Sequence, residues 1–295
     1  MHQSFLSVAR YRYALYGGLL CVGSAACYIV DSWYERPGGG TVLGYTLGGI
    51  AAALVLFLMS YGIRRRSFQR RAGSTKRWLS MHVYFGLSVL IVATLHSGLQ
   101  FGYNVHTLCF GLLVAVVLSG CWGVYAYVRY PALMSRERGE LGRDELLTRL
   151  SEVDRQALSF SASLEPEVND LVADAILRTR VGGDIWAQLR GRDQSMLLLT
   201  PVRQRGYSQL VNNPGQEVLI AQLSKYQSTS RDAEAQHTLQ RLLQISGDKA
   251  VLLRRLQRDI QLQGLLQAWL YLHLPLSFAM LAALVIHVFS VFYYW

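Results

Sequence analysis

Four of the seven histidines lie inside apolar stretches: His82 and His96 in one, His273 and His287 in another. In each stretch the two histidines are fourteen residues apart. An ionisable side chain inside a membrane-length apolar segment is expensive and is read first as functional. Fourteen residues of helix rise roughly 21 Å, and two heptads return the second side chain to within about 40° of the first. Each helix therefore presents two imidazoles on nearly one face, near its two ends. Imidazoles that far apart cannot share one metal, and no carboxylate accompanies them, which argues against a non-haem metal site. Two facing imidazoles, one from each helix, form an axial ligand pair for a haem iron inside a helix bundle. His82 with His273 and His96 with His287 would then hold two stacked b-type haems, a conductor through a low-dielectric layer.

That pairing requires two helices running in the same direction, so the elements that carry them matter. A bilayer core needs about 20 residues of helix. Five stretches are long and apolar enough: 13–30, 41–63, 78–101, 106–128 and 268–294. Lys and Arg concentrate on the cytoplasmic side of such segments. Arg10 and Arg12 precede the first; Arg64 to Arg66, Arg70, Arg71, Lys76 and Arg77 follow the second; Arg129, Arg136 and Arg138 follow the fourth. The opposite loops hold Asp31, Glu35 and Arg36, then an uncharged run from Gln100 to Asn104. The expected orientation puts the N-terminus and the polar insert in the cytoplasm of a bacterial inner membrane and Trp295 in the periplasm. The histidine-bearing third and fifth segments then run parallel.

The bulk composition agrees with lipid. Hydrophobic residues make up 52% of the 295 and charged residues 16%, against about 25% charged in soluble domains. The net charge of +10 is set by loops flanking apolar segments, so a lipid bilayer is the expected partner and nucleic acid is not. Cys21, Cys27, Cys109 and Cys121 all lie in apolar runs. No CxxC or CxxCH occurs, so neither a zinc ribbon nor a c-type haem is written here, and the four read as packing residues. The first stretch, which ends near Cys27, reads as an uncleaved helix.

The third and fifth segments also resemble each other. Trp78 stands four residues before His82, and Trp269 four before His273. Four residues beyond the first histidine of each comes a small residue, Gly86 or Ser277. That position shares the histidine's face, so Gly86 would let a flat porphyrin approach. Arg77, with Lys76 and Arg64 to Arg66, would lie level with the cytoplasmic haem's edge and could pair with a propionate. Trp78, Trp269 and Trp295 read as interfacial anchors. His106 reads as a packing or hydrogen-bonding residue near a helix end, and His2 and His237 as solvent-facing.

Residues 130–267 form an insert of mainly helical pattern between the fourth and fifth segments. Asp144 opens one helix and Glu167 to Arg180 a second, stopped by Gly182 and Gly183. Met196 to Thr200 suits a short strand. A long amphipathic helix runs from Asp232 into the fifth segment, with a break expected at Gly247. Basic stretches such as Arg203 to Arg205 and Arg254-Arg255 suggest that the insert docks a partner.

These residues resemble the bis-histidine dihaem transmembrane cytochromes b. The paired spacing is similar to that of the cytochrome b of quinol–cytochrome c reductases. The detailed text looks closer to a loosely described group of bacterial cytochrome b-like membrane proteins. The marks are Trp78 to His82, Leu95-His96-Ser97-Gly98, Ser119-Gly120 through Tyr125, Tyr127, Arg129 and Pro131, and Trp269 through His287 to Trp295. The resemblance covers the last three apolar segments and excludes the insert. It implies haem b at His82, His96, His273 and His287 and membership of an electron-transfer complex. The chain departs from the reductase pattern in placing its ligands on the third and fifth segments around a large insert, so no quinone site carries over, although a quinone stays a candidate redox partner.

The expectation is an all-α membrane protein: helices one to four in 1–129, a cytoplasmic helical insert in 130–267 and the fifth helix in 268–295. Its expected work is electron transfer between a cytoplasmic or quinone-side couple and a periplasmic partner. No Gly-rich dinucleotide fingerprint and no cysteine cluster is present, so other subunits of a redox complex must supply further cofactors. A haem-based redox sensor or assembly factor signalling through the insert is the alternative, and a haem-free scaffold or transporter a third. The charge asymmetry predicts that a reporter fused after Trp295 is active only in a form that works in the periplasm. Activity of a cytoplasmic reporter there would set the two histidine helices antiparallel.

Overall fold

The computed structural model describes residues 10–66, 75–139, 141–199 and 208–294. Arg70, Arg71, Arg203 to Arg205, His2 and Trp295 lie outside them. Five helices are long and apolar enough to cross a membrane: α1 (Arg12–Asp31), α2 (Val42–Arg66), α3 (Thr75–Ser97), α4 (Val105–Arg138) and the last part of α9 (Ala233–Tyr294). Their outward faces carry large apolar side chains, among them Leu19, Val22, Leu56, Leu118, Phe278 and Phe289, all more than half exposed. A soluble surface does not sustain that many, and a helix apolar all round belongs inside a core or a bilayer. The protein is a multi-pass membrane protein.

The chain forms two compact units, Met1–Tyr125 with Trp269–Trp295, and Ala126–Ala268. In the first, α1, α2 and α3 pack closely along one another. No comparable run of close backbone approach joins α3 to α9 among the described residues. What links them is side chains. A core of Leu47, Ala51 and Val55 from α2, Val89, Val92 and Ala93 from α3, Leu113 and Val117 from α4, and Met280 from α9 fills the unit. Val89 stands midway between His82 and His96, and Met280 midway between His273 and His287. Both are buried, so the face that carries the histidines is the inner face of each helix.

Helix ends are set by local chemistry. The Thr41 hydroxyl accepts from the Gly44 amide (2.9 Å) at the start of α2, and the Asn104 carboxamide oxygen accepts from the Thr107 amide (2.9 Å) at the start of α4, each filling an orphan donor of a first turn. Gly98 ends α3 with φ +57°, and a Cβ there would come within 2.6 Å of the Pro37 carbonyl. Glycine is therefore required twice over, for the left-handed turn and for the close approach of the loop before α2.

The second unit contains α5 (Arg143–Ser161), α6 (Pro166–Leu177), α7 (Ile185–Arg190), α8 (Glu217–Thr229) and the first part of α9, with strands β1 (Met196–Leu199) and β2 (Gln209–Asn212). Pro166 sits in the first turn of α6, where its missing N–H costs nothing. The Asp184 side chain caps α7 through the Ala187 amide at 2.6 Å, and that bond holds its carboxyl below the usual carboxylate range. The strands pair antiparallel, Met196 opposite Asn212 and Leu199 opposite Gln209. α9 buries Leu239, Leu242, Leu253 and Leu256, a stripe at helical spacing. Leu239 and Leu242 join the core with Val168, Val172, Leu197, Leu219 and Leu223, and Leu253 and Leu256 pack with Leu146 and Leu150.

Two sequence expectations need correction here. Helix α6 stops at Leu177, before the Gly182-Gly183 pair expected to end it at Arg180. The break at Gly247 is absent: α9 runs through it unbroken. A glycine inside a helix costs only about 1 kcal/mol, and its neighbours Ser246, Lys249 and Ala250 are buried, so packing outweighs propensity.

Lys249 is itself an unusual core residue. Its ammonium lies 2.8 Å from Asp154, with the lysine side chain 3% and the aspartate 20% exposed. Burial pushes this amine below its ordinary value, and the pull of Asp154 opposes that. Removing one partner of a buried pair leaves an uncompensated charge, whereas an apolar replacement of similar volume is often neutral. Asp154→Ala alone is therefore expected to destabilise this unit by about 3 kcal/mol, and replacing the pair together, Asp154→Leu with Lys249→Met, by less than about 1 kcal/mol. Hydrogen exchange of α5 and of the amides around Lys249 in the full chain measures both.

Candidate functional site

All four histidines of the two spaced pairs are half-buried in the first unit, and each ring has its Nδ1 engaged by a neighbouring helix. His82 Nδ1 lies 3.2 Å from the Leu58 carbonyl of α2. His96 Nδ1 lies 2.7 Å from the Gly44 carbonyl of the same helix. A carbonyl only accepts, so in both rings Nδ1 carries the proton and Nε2 keeps a free lone pair.

His273 reaches the same state by a longer route. Its Nδ1 lies 2.7 Å from Ser119 Oγ on α4. The Ser119 hydroxyl donates its single proton to the Val116 carbonyl at 2.8 Å, which leaves its oxygen to accept from His273 Nδ1–H. His287 differs: its Nδ1 meets Nδ1 of His106, in the first turn of α4. The two rings stand perpendicular with centres 4.4 Å apart.

Neighbouring residues are shaped to these rings. On α2 a Cβ at Gly48 would fall 2.7 Å from His96 Cε1 and 2.9 Å from its Nδ1. Gly48 is thus the gap through which the His96 ring reaches the Gly44 carbonyl one turn back. Gly39, in the loop held over Gly98, closes the same ring from outside, with 3.5 Å between its would-be Cβ and His96 Cε1. On α4, Gly123 makes room for the Trp269 indole, which a Cβ would overlap at 2.1 Å. Trp269 Nε1–H then donates to the Ser119 carbonyl at 2.7 Å and its ring lies against His273, centres 5.3 Å apart. Trp269 is therefore a packing partner of its own helix's histidine as well as an aromatic near the segment's edge. Trp78 has a different neighbour, stacking on Phe57 at 5.5 Å, while Tyr61 lies against His82 at 5.1 Å.

The structure brings one expected pair into ring contact. His96 and His287 lie with centres 6.1 Å apart and planes at 77°. His82 and His273 make no ring contact with each other among the described residues; each is held by its own neighbour. Gly86 is open: a Cβ there would meet nothing within 4 Å. Its counterpart Ser277 is buried and donates to the His273 carbonyl at 2.7 Å. Arg77 is exposed in the first turn of α3. His237 is exposed, and the four cysteines are unpaired by disulfides. Among the described residues no group of three or more His, Cys, Asp or Glu side chains is arranged to hold a metal ion.

Sequence reasoning did not find Gly44 or Gly48, took Ser119 and the stretch holding Gly123 only as marks of the resemblance, and named no partner for His106. The small residues at one-turn spacing in α2, and Ser119 four residues before Gly123, carry a helix-interface signature, but not one that names the histidine each would serve. Comparison with protein-family models, with curated proteins and with solved structures gave no match.

The glycine slots make a direct test. Gly48→Ala forces the His96 ring from its acceptor and is expected to cost about 1–3 kcal/mol, the usual range for overpacking. Its neighbour Gly49 has nothing within 4 Å of a would-be Cβ, so Gly49→Ala should be neutral or stabilising by up to about 1 kcal/mol. Thermal unfolding of the two variants in detergent separates a site-specific slot from general intolerance of α2.

Proposed function

We propose that this protein is a dihaem b-type cytochrome subunit that carries electrons across a bacterial inner membrane. The observation that supports it best is the common state of the histidines. Three rings have Nδ1–H donated to an acceptor on another helix, the arrangement typical of a histidine whose other nitrogen binds a metal. Spacing supports the same reading. A metal–imidazole bond is about 2 Å, and the ring centre lies about 1 Å further, so two rings on opposite sides of one metal have centres roughly 6 Å apart. His96 and His287 stand at 6.1 Å.

In this reading His82 with His273 and His96 with His287 would hold the two haems b, and each haem would supply a one-electron iron couple. The acceptors on α2 and α4 hold each ring's orientation and tautomer. Val89 and Met280, buried between the two levels, keep water out of the interval. Gly86 leaves space beside the His82 level for a flat group. Arg77, at the basic end of α3, is the candidate partner for a propionate. With the basic loops cytoplasmic, the His82 level faces the cytoplasm and the His96 level the periplasm.

The donor and acceptor belong to partner subunits or carriers of a redox complex, with a quinone as one candidate, because the chain carries no recognisable flavin, nicotinamide or iron–sulfur motif. Its one triple glycine, Gly38 to Gly40, precedes α2 and packs against the His96 region, where a Cβ at Gly44 would fall 2.1 Å from the Gly38 carbonyl.

The purified protein should yield two haems b per chain on acid–acetone extraction and show low-spin, bis-histidine spectra. His82→Ala or His273→Ala should remove one haem, and His96→Ala or His287→Ala the other. Extraction of one haem or none from the unmodified chain overturns the proposal.

A further inference from the structure

Three of the four rings donate Nδ1–H to an oxygen acceptor: Leu58 O, Gly44 O and Ser119 Oγ. The fourth, His287, has no such oxygen and meets His106 instead. Nitrogen against nitrogen fits only if one ring donates and the other accepts. Were His106 the donor, His287 would accept at Nδ1 and carry its proton on Nε2, the nitrogen that the other three rings keep free. With His287 as donor, all four rings share one tautomer and His106 fills the role that a backbone carbonyl or a serine fills elsewhere.

We propose that His106 is the positioning residue of the periplasmic-side site, accepting from His287 Nδ1–H and so fixing that ring's tautomer and plane. The inference rests on the dihaem reading above, and it assigns His106 no bond to iron. Its location suits the role. His106 enters from the first turn of α4, whose start is held by the Asn104 cap, so the imidazole comes from an anchored turn. Its ring stands perpendicular to that of His287, the orientation in which an in-plane N–H of one ring reaches the in-plane lone pair of the other while the rings avoid stacking. His96, the other ring against His287, already has its Nδ1 satisfied by Gly44 and cannot supply that acceptor through the same atom.

An acceptor on the ligand's N–H raises the basicity of the ligating nitrogen, and a more basic ligand favours the oxidised metal. Removing it has a directional result. The experiment uses the full-length protein with its haems, comparing wild type, His106→Leu and His106→Asn by haem content, redox titration and low-temperature electron paramagnetic resonance. His106→Leu should retain two haems per chain, raise one of the two midpoint potentials and leave the other unchanged. It should also shift the low-spin signal of that same haem, because an untethered His287 ring can turn about its iron bond. His106→Asn, whose side-chain oxygen can accept, should return both readouts toward wild type.

Unchanged potentials and signals in His106→Leu would overturn the assignment. Loss of one haem in His106→Leu, with two retained in His287→Ala, would overturn it as well, by making His106 the ligand. A shift that His106→Asn does not reverse would assign the effect to packing and also overturn it. A wild-type protein without two haems would instead defeat the underlying dihaem reading, and the wild-type haem content reports that separately.

Discussion

An imidazole inside an apolar helix bundle must place two ring nitrogens, and most of the first unit follows from how it does so. Water is not on hand to satisfy a ring N–H at membrane depth, and an unsatisfied polar group there is costly. The protein meets this by giving Nδ1–H a partner on the adjacent helix, which forces the remaining lone pair onto Nε2. The consequences spread outward. α2 must lie close enough to α3 for its carbonyls to serve two rings, hence Gly44 and Gly48 on the contact face. Likewise α4 must present Ser119 to α9, and Gly123 makes that approach possible by admitting Trp269. Helix α2 thus serves both rings of α3, while α9 takes its partners from α4.

The two-heptad interval between the histidines has a structural consequence of its own. It puts one residue of each helix midway between the histidines, on nearly the same face, and both Val89 and Met280 are buried there. Polar rings at two levels are therefore separated by an apolar layer drawn from α2, α3, α4 and α9. An interval that kept the rings on different faces would expose one of them to lipid and leave the core without its central layer.

How much of this was readable in the sequence depended on whether the signal was local. The five spans and the paired histidines are carried by residues near one another in the chain, and the structure shows the expected helical architecture. The acceptors were not readable. Nothing near His96 points to Gly44, fifty-two positions earlier, and nothing near His273 points to Ser119. His106 looked like an ordinary helix-end residue because its partner, His287, stands far along the chain. The second strand escaped for a related reason: Gln209–Asn212 is short and mostly exposed, so periodicity has little to report. Gly247 misled in the opposite direction, since a residue's helix propensity is weak evidence beside a leucine stripe that runs on both sides of it.

The wide separation in sequence between α3 and the last span also sets an order of events during synthesis. His96 emerges about 190 residues before His287, and at a ribosomal pace of about 5–20 residues per second the interval is on the order of ten to forty seconds. Throughout it, α1, α2 and α3 are already in hand, with the carbonyls that serve His82 and His96 present on α2. The whole polar unit must be translated before α9 can close the other side. The early three-helix group thus waits with the rings of α3 already supplied with partners and its open flank the last to be covered. A nascent chain arrested inside the polar unit would carry that group without its second wall, and the buried layer around Val89 would close only when the final helix brings Met280.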